Sequence, residues 1–331
     1  MTTMKKETPL SKSNFIFFDF IAKEKVWANP SHNNYLEKKI NQKKVGELWF
    51  LSGLPKNESF ILNGEYKGYT LEKLWNEKRD LFPSSSKLKE ENYYPLLTKI
   101  IAAGENLSVQ IHPDDKTAQK YYSFPNGKNE MWYVLENKFD QKIIYGIKDK
   151  KLKVFQKKLS ANSKKNKLWN LRKAKVGSII HIPANMVHCL PKGMTVFEIQ
   201  QTCDYTWRIY DFQRENKSSR KLNLTEIYQN WNQEKEELKR QQNKKFKFVA
   251  LAKRGLEKLT TFQDFKVIKV TNLTITEKEY KLNANWVQGT IIEGEGKINS
   301  YKVKFASSFL ALNTQTFSLS GKMTVIFCCC L

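Results

Sequence analysis

The chain has 331 residues, of which 40% are hydrophobic and 13% aromatic, a composition that excludes a disordered chain and is typical of a folded globular protein. Its formal net charge of +24 is large enough to suggest nucleic acid or an anionic membrane as a partner. The lysines are nevertheless spread along the whole chain without an aromatic-lined basic motif, so we expect no specific nucleic-acid binding.

Hydropathy and cysteine usage bear on the compartment. No apolar run approaches the roughly 18 residues that a membrane-spanning helix needs, and Asp19 interrupts the apolar stretch Phe15–Phe20. The five cysteines lack the paired spacing of disulfide frameworks or metal sites, which suits a reducing environment. We therefore expect a cytoplasmic protein without a membrane partner, and the sequence leaves its oligomeric state open.

The first informative element is a short predicted strand, Leu107–His112, which runs into Pro113. Successive side chains of a strand point to opposite faces, and here every second residue is apolar. Ser108, Gln110 and His112 therefore share the polar face. A polar face opposite a core-forming one predicts a cavity.

Two later strand edges carry further metal-binding residue types. Glu130 opens the predicted strand Glu130–Leu135, and His188 follows a β-rich run and a proline-led turn. A lone histidine beside apolar residues is commonly a hydrogen-bonded core group, and this chain has only four histidines. Donors arriving from three segments nevertheless predict a divalent metal site formed by His112, Glu130 and His188.

From Phe197 to Arg208 the even positions are polar and the odd positions largely apolar, which predicts one strand with a polar face. That face carries Glu198, Asp204 and Arg208, and it faces either solvent or the predicted cavity. Arginine is rare here, with seven among 57 Lys and Arg residues, so an arginine at position 208 favours a specific role.

Beyond this strand, a charged stretch predicted to be helical, about residues 224–242, leads to a new β-rich run. We place the domain boundary after it, with a catalytic domain over residues 1–243 and a smaller β domain over residues 244–331. The second domain has no histidine and cannot repeat the metal site. Its clearest predicted strands are Val267–Val270, Gly289–Ile292 and Met323–Phe327.

Ordered motifs make the chain resemble a known family. The strongest are Gln110–Asp115, Gly127–Glu130, Pro183–His188 and Arg208–Asp211. Weaker matches lie upstream, at Val45–Trp49, Leu71–Trp75 and Tyr94–Ile100. Together they resemble type I mannose-6-phosphate isomerases, in particular the short bacterial form, over about residues 24 to 215.

The resemblance implies a mainly β fold, with a cupin-like jelly-roll catalytic domain that contains a few helices and a smaller jelly-roll-like C-terminal β domain. It implies interconversion of mannose 6-phosphate and fructose 6-phosphate through an enediol, with a phosphorylated hexose as partner. The family's zinc ligands fall on Gln110, His112, Glu130 and His188. One zinc ion per chain is expected, although imidazole also suits other divalent metals.

The resemblance also implies roles for residues around the metal. Arg208 matches a catalytic arginine that can stabilise an enediolate or a phosphate, and Lys128 is a second expected catalytic residue. The residues expected to bind substrate are Lys99, Ser108, Glu198, Asp204 and Arg214. The proton carrier stays open between Lys128, Glu198, Asp204 and water on the metal, because a nearby dication can lower a lysine pKa toward neutrality.

Two rival functions stay open. An iron-dependent cupin oxygenase uses the same kind of site, and an inactive cupin can serve as a sugar-phosphate-binding protein. The chain also departs from the family at Ala28, where glycine usually follows the tryptophan, and at Asn129, where many short-form members have threonine. These departures leave the predicted ligands unchanged and bear on sugar preference.

Overall fold

A computed structural model of the chain describes residues 15–83, 92–149, 151–160, 167–214, 220–230, 247–248, 255–263, 265–312 and 316–330. These residues form two compact units. Within the described ranges, the site unit comprises residues 21–57 and 93–248, and the C-terminal unit comprises residues 15–20, 58–92 and 255–330. No helix in this part of the chain has the length and apolar character that crossing a bilayer requires.

Strands dominate both units. They are β1 Phe15–Phe18, β2 Phe20–Glu24, β3 Val45–Phe50, β4 Gly53–Leu54, β5 Asn57–Glu58, β6 Leu96–Ala102, β7 Val109–Ile111, β8 Glu130–Asn137, β9 Lys142–Ile147, β10 Trp169–Lys173, β11 Ser178–Ile182, β12 His188–Cys189, β13 Met194–Gln201, β14 Trp207–Tyr210, β15 Lys247–Phe248, β16 Gly255–Phe262, β17 Phe265–Asn272, β18 Lys278–Lys281, β19 Trp286–Ile298, β20 Tyr301–Lys304, β21 Ser308–Leu312 and β22 Thr316–Cys330. The helices are α1 Tyr35–Ile40, α2 Leu71–Glu77, α3 Asp115–Tyr122, α4 Leu152–Ser160 and α5 Leu224–Gln229, with a 3-10 turn at Arg79–Leu81.

The site unit is a sandwich of two antiparallel sheets. One sheet has the strand order β15-β11-β8-β13-β6-β3-β2, and the other has the order β10-β9-β12-β7-β14. A single buried cluster contains side chains from both sheets, among them Val109, Trp132 and Trp207. Because burying one large apolar side chain contributes roughly 1.5–3 kcal/mol, this shared core holds the two sheets face to face. The mainly β, cupin-like fold is confirmed.

The C-terminal unit is built on one eight-stranded sheet. Its main path is β1-β21-β19-β22-β17-β16, with β18 paired to β22 and β20 paired to β19. The predicted strands near Val267, Gly289 and Met323 lie in β17, β19 and β22. β1 comes from the beginning of the chain and pairs with β21, Phe15 opposite Ala311. The unit therefore draws on distant parts of the sequence.

The predicted boundary near residues 243–244 stays a proposal. The start of the predicted helical connector is α5, whereas residues 231–246 lie outside the described part of the chain. Residues 15–20 and 58–92 group with the C-terminal strands. A single boundary along the chain therefore does not separate the two units.

The polar stretch from Phe197 to Arg208 is not one strand, and that prediction is wrong. Its first half belongs to β13 in the seven-stranded sheet, and its end belongs to β14 in the five-stranded sheet. Between them the Thr202 N–H donates to Pro95 O at 3.2 Å, and the Gln200 side-chain amide donates to Cys203 O. These bonds replace strand pairing and carry the chain from one sheet to the other.

Candidate active site

The five-stranded sheet presents the first predicted ligand through β7. Val109 and Ile111 are buried in the core, and Gln110 between them lines a cavity on the opposite face. β7 is shorter than the predicted strand because the chain soon enters α3, where Asp114 accepts a hydrogen bond from the Thr117 N–H at 2.9 Å. The predicted alternation of buried and cavity-facing residues is present.

Strand pairing brings the other predicted ligands to Gln110. His188 in β12 is paired with Gln110, and Gln110 Nε2 lies 3.4 Å from the Nε2 atoms of both His112 and His188. Glu130, the first residue of β8, has Oε1 at 3.1 Å from His112 Nε2 and Oε2 at 3.5 Å from His188 Nε2. His112, Glu130 and His188 are buried and form a cluster that can hold a metal ion.

Backbone carbonyls orient both imidazoles. His112 Nδ1 donates to Tyr205 O at 2.9 Å, and His188 Nδ1 donates to Met186 O at 2.8 Å. A carbonyl only accepts, so the proton sits on Nδ1 and the Nε2 lone pair faces the cluster. Burial lowers the pKa of both histidines, that of His188 to about 4, which keeps the rings neutral at pH 7. Neutral imidazole is the form that ligates a metal.

Glu130 supplies the negative charge of the cluster. Burial alone would raise its pKa, but the charge of Lys128 lowers that pKa well below its usual range. Lys128 Nζ lies 2.7 Å from Glu130 Oε1. Glu130 Oε2 is buried and has no hydrogen-bond partner among the described residues. A buried carboxylate oxygen without a donor is costly and favours a cation beside it.

The donor set fits a divalent metal. Because the histidine protons sit on Nδ1, His112 Nε2 and Glu130 Oε1 face each other at 3.1 Å with no hydrogen between them, an arrangement that a cation would stabilise. The donor separations of 3.1–3.5 Å are those expected between neighbouring ligands that lie about 2.0–2.2 Å from one ion.

A tight turn places Lys128 beside this cluster. A Cβ atom at Gly127 would lie 2.4 Å from the Asp114 carbonyl carbon, so the close backbone approach requires glycine. The Lys128 N–H donates to Pro113 O at 2.9 Å, and Lys128 Nζ lies 3.4 Å from His112 Nε2. The turn therefore fixes a buried ammonium group next to two predicted ligands.

The protein's own charges hold Lys128 protonated. Burial would lower its pKa, but Glu130, Glu198 and Asp204 raise that pKa above its ordinary value. A nearby dication would lower the pKa of Lys128, but these three carboxylates oppose that effect.

Glu198, in β13, is a buried carboxylate whose pKa lies near neutrality. Its Oε2 accepts a hydrogen bond from Trp132 Nε1 at 2.7 Å, whereas its Oε1 lies 3.6 Å from Lys99 Nζ and 3.9 Å from Lys128 Nζ. Burial, and next the charge of Glu130, raise its pKa to about 7, although the two lysines oppose the rise. A carboxyl group of this kind can give and take a proton at physiological pH.

Arg208 lies in β14 directly opposite Gln110 of β7. Its guanidinium lines the same cavity, of about 110 Å³, and its Nε is buried without a hydrogen-bond partner among the described residues. An unused donor on a permanent cation is suited to bind an anionic group of a ligand.

Two further arginines share one buried carboxylate, that of Asp211. Arg214 Nη2 donates to Asp211 Oδ1 and to Asn106 O, each at 2.8 Å. Arg220 Nε donates to Asp211 Oδ2 at 2.6 Å, and Arg220 also lines the cavity. The described lining of the cavity includes Arg208 and Arg220 but does not include Arg214.

The structure brings most of the predicted site together. The predicted residues that line the cavity are Lys99, Ser108, Gln110, Lys128, Glu130, Glu198, Asp204 and Arg208. His112 and His188 complete the metal cluster, and Trp27, next to the departure at Ala28, also lines the cavity. The individual roles of these residues stay predictions.

Among the lining residues that sequence reasoning missed are two charged ones, Arg220 and Glu47. The scarcity of arginine would have identified Arg220 as readily as Arg208. Glu47 lies in the weaker motif Val45–Trp49, but nothing there pointed to a site; its carboxylate lies 3.2 Å from Lys25 Nζ and accepts from Trp49 Nε1 at 2.6 Å. Burial would raise its pKa, but these neighbours and Lys99 lower that pKa to about 2.

The chain is similar to known proteins over the region that contains much of this site. Residues 20–146 match the family model of the phosphomannose isomerase type I catalytic domain. The mannose-6-phosphate isomerase ManA of Bacillus subtilis is 33% identical over 201 residues, 61% of this chain and 62% of that protein. The matched stretch spans a little under two thirds of the curated relatives.

Solved structures extend the similarity to nearly the whole chain. The crystal structure of mannose 6-phosphate isomerase from Bacillus subtilis has a TM-score of 0.79 and 27% identity, and it covers 95% of this chain and 99% of that one. A zinc-bound mannose 6-phosphate isomerase, at 13% identity and a TM-score of 0.67 over 96% of this chain and 99% of that one, shares the fold. The resemblance to type I phosphomannose isomerases is confirmed.

Proposed function

We propose that the protein is a metal-dependent aldose–ketose isomerase that interconverts mannose 6-phosphate and fructose 6-phosphate. The observation that carries this proposal is the convergence of two neutral imidazoles, a carboxylate and an amide on a cavity that also holds the half-buried Arg208. A sugar phosphate needs both parts, because the reacting carbons need polarisation and the phosphate needs cations. The family match favours this reaction over the oxygenase and the inactive sensor.

We propose that Gln110, His112, Glu130 and His188 hold one zinc ion per chain, with other divalent metals as possible substitutes. The Ser108 hydroxyl donates to Gln110 Oε1 at 2.8 Å. Turning the amide by 180° brings its oxygen to the imidazoles, and the hydroxyl can then accept from the amide nitrogen. The bound ion supplies Lewis-acid polarisation of the sugar carbonyl.

We assign the proton transfer between sugar carbons 1 and 2 to Glu198. Glu198 lines the cavity; Trp132 fixes one of its carboxylate oxygens, and the other is buried without a hydrogen bond among the described residues. This oxygen can remove the proton from C2 and return it to C1, while the hydroxyl proton leaves O2 and a proton is added to O1, so that carbonyl and hydroxyl exchange places. Lys128 and Lys99 hold the carboxylate in position and bind sugar oxygens, with Ser108 and Asp204 as further partners of the hydroxyl groups.

Arg208 completes this mechanism by stabilising the enediolate. It lies opposite a predicted metal ligand, so its guanidinium is close to where negative charge develops rather than to a distant part of the sugar. A planar cation with free N–H groups stabilises that charge more in the transition state than in the bound substrate.

A coupled assay tests the reaction directly. Fructose 6-phosphate should form from mannose 6-phosphate, stop after treatment with a chelator, and return when zinc is restored. Oxygen consumption that depends on ferrous loading would indicate the oxygenase instead, and tight sugar-phosphate binding without turnover would indicate a sensor. Glu198→Gln should abolish exchange of the substrate C2 hydrogen with deuterated solvent while metal content stays unchanged.

We also propose that the protein works in the reducing cytoplasm. All five of its cysteines are buried, and Cys328, Cys329 and Cys330 lie side by side in β22. Such thiols are compatible with a reducing compartment.

A further inference from the structure

Side-chain amides outside the metal cluster tie together the chain segments that carry its ligands. Asn129 directly precedes Glu130, and its Oδ1 accepts a hydrogen bond from the Ala184 N–H at 2.9 Å. Ala184 lies in the turn that leads to His188, so this bond joins the segment of the carboxylate to that of one imidazole. A backbone N–H can only donate, which fixes the orientation of the Asn129 amide.

The nitrogen atoms of Asn129 make a second connection. Its Nδ2 and its backbone N–H both donate to Gln201 Oε1, at 2.6 and 3.0 Å. Gln201 Nε2 in turn donates at 3.2 Å to Asp115 Oδ1, which also accepts from the Gly127 N–H at 2.8 Å. Asp115 begins α3, just after His112. Through Gln201, the contacts of Asn129 therefore extend to the segment of the other imidazole.

Asn185 joins the two histidine segments directly. Its N–H donates to His112 O at 2.8 Å, and its Nδ2 donates to Asp114 Oδ2 at 3.0 Å. The residue is buried and has a φ of 67°, a left-handed conformation that asparagine adopts more readily than most residues. The next residue, Met186, supplies the carbonyl that orients His188. The backbone that orients one imidazole is therefore anchored to the backbone that carries the other.

The cluster needs such anchoring because its facing atoms are mainly acceptors. The Nε2 lone pairs of His112 and His188 face the carboxylate of Glu130 at 3.1 and 3.5 Å. Acceptors at these distances repel each other until a cation lies between them. Contacts outside the cluster must therefore hold the three segments together, and losing contacts of this kind typically costs roughly 10- to 100-fold in metal affinity.

We infer that Asn129 and Asn185 are positioning residues that fix the spacing of the metal ligands before the ion binds. The inference rests on the proposed metal site and assigns neither residue a contact with the substrate. It also gives the family departure at Asn129 a physical consequence. Threonine has one hydroxyl on a side chain one bond shorter, so it cannot reproduce the contacts that the separate oxygen and nitrogen of the Asn129 amide make.

The first test measures the zinc Kd by competition with a chelator. Asn129→Thr should raise the zinc Kd by roughly 10- to 100-fold, because the segments of the carboxylate and of His188 lose their direct link. Asn137→Thr is the matched control at the other end of β8. The Asn137 amide donates to Gln141 O and Ala174 O, each at 3.0 Å, so similar contacts are lost away from the metal. Its zinc Kd should equal that of wild type.

Asn185→Gly isolates the second positioning residue. Glycine adopts the left-handed conformation freely and keeps the N–H bond to His112 O, so the variant removes only the side-chain contact with Asp114. Its zinc Kd should rise by a smaller factor than that of Asn129→Thr. A zinc Kd equal to that of wild type would exclude a positioning role for the Asn185 side chain.

The absorption spectrum of cobalt-substituted protein separates positioning from general loss of stability. Asn129→Thr should shift the visible cobalt bands, because they depend on the geometry of the ligands. Asn137→Thr should lower the urea midpoint and keep the wild-type spectrum. Should Asn129→Thr fail to fold, Asn129→Ala provides the same comparison. Equal increases of the zinc Kd in Asn129→Thr and Asn137→Thr would overturn the inference.

The inference and the proposed function fail in distinguishable ways. A wild type that binds no metal contradicts the metal site and, with it, the inference. If the wild type binds metal but does not isomerise mannose 6-phosphate, the reaction is wrong, and the zinc Kd of the variants still tests the inference. If the wild type is active and Asn129→Thr keeps its zinc Kd and cobalt spectrum, the positioning role of Asn129 alone is wrong.

Discussion

Each unit of the protein buries lysine beside carboxylate, and the two regions differ in how completely the charges are paired. In the C-terminal unit, fully buried Lys269 on β17 has its Nζ 2.7 Å from Glu257 on the neighbouring strand β16. In the site unit, Lys128 also has a close partner, Glu130 at 2.7 Å, but Lys99 and Lys128 additionally share Glu198 at 3.6 and 3.9 Å. A close pair between neighbouring strands serves the sheet, whereas a carboxylate shared by two lysines at longer distance leaves capacity to bind a ligand or take a proton.

The distribution of histidine follows the same division. All four histidines precede residue 189, and two of them are in the metal cluster. The C-terminal strands therefore contain charged residues but no imidazole that could ligate a metal. The comparison teaches that buried charge alone does not identify a site. A site is identified when incompletely paired charges occur together with neutral donors that converge on one point.

The largest expected effect comes from removing an imidazole of the metal cluster. His112→Ala or His188→Ala should reduce bound metal from about one ion per chain to nearly none and lower turnover on the order of a thousandfold or more, because several kcal/mol of charge stabilisation are lost. His181→Ala, on β11 and outside the cluster, is the control and should retain metal. Full metal occupancy in both cluster variants, measured by elemental analysis, would remove these residues from the site.

Replacing one buried lysine in each unit, Lys269 or Lys99, tests whether the two regions differ. Lys269→Met leaves a buried carboxylate without its close partner, and urea unfolding should show a loss of about 3–5 kcal/mol. Lys99→Met should cost less free energy of unfolding, because Glu198 has a pKa of about 7 and can take a proton once Lys99 is gone.

Replacing both partners of the C-terminal pair provides the control. Lys269→Met combined with Glu257→Leu should recover most of the lost free energy, because no unpaired charge remains. Equal losses in Lys269→Met and Lys99→Met would contradict the distinction between a structural pair and a functional one.

Arg208 provides a further test of incomplete pairing in the site unit. It is a cation in the cavity, and its buried Nε has no hydrogen-bond partner among the described residues. If Arg208 has the proposed role, Arg208→Lys should lower kcat by on the order of a hundredfold with little change in KM, because an ammonium group cannot reproduce the planar fork of a guanidinium beside an enediolate. Steady-state kinetics with constant metal content measure this. A raised KM with normal kcat would instead show that Arg208 binds ground-state phosphate, and wild-type values would make it a structural residue.

The smallest expected effect concerns how folding stability depends on pH. One carboxylate in each unit contributes to this dependence, and the two contributions have opposite signs. In the site unit the pKa of Glu47 is lowered from 4.5 to about 2, so its stabilising contribution is present above pH 4.5 and is lost as the pH falls toward 2. In the C-terminal unit burial, above all, raises the pKa of Glu72 from 4.5 to about 7. Folding then binds a proton, so stability falls as the pH rises from 4.5 through 7.

Glutamine variants isolate these two contributions. The stability difference between wild type and Glu47→Gln should grow by about 2 kcal/mol between pH 3 and pH 5. Wild type should lose stability relative to Glu72→Gln between pH 5 and pH 8. Urea unfolding at each pH measures both differences, and slopes of the same sign would contradict the assignment.

Much of the site was predictable because its local signals are strong. Gln110 and His112 were placed by the alternation of a single strand, and this pattern depends only on the geometry of an extended chain. Glu130 and His188 were predicted from strand and turn signals next to rare residue types. Family resemblance then connected these positions, and the strands β17, β19 and β22 were likewise predicted from apolar runs.

The tertiary structure decided what depends on contacts between distant segments. The period-two pattern from Phe197 to Arg208 has no marker for the point where the chain changes sheets, since hydrogen bonds to Tyr94 and Pro95 fix that point. The difference between Arg214 and Arg220 depends on a carbonyl at Asn106, and the pairing of β1 with β21 joins opposite parts of the chain. The sequence determines on which face of a strand each side chain lies, because strand geometry is local. Burial and pairing between distant segments determine which residues that face contacts.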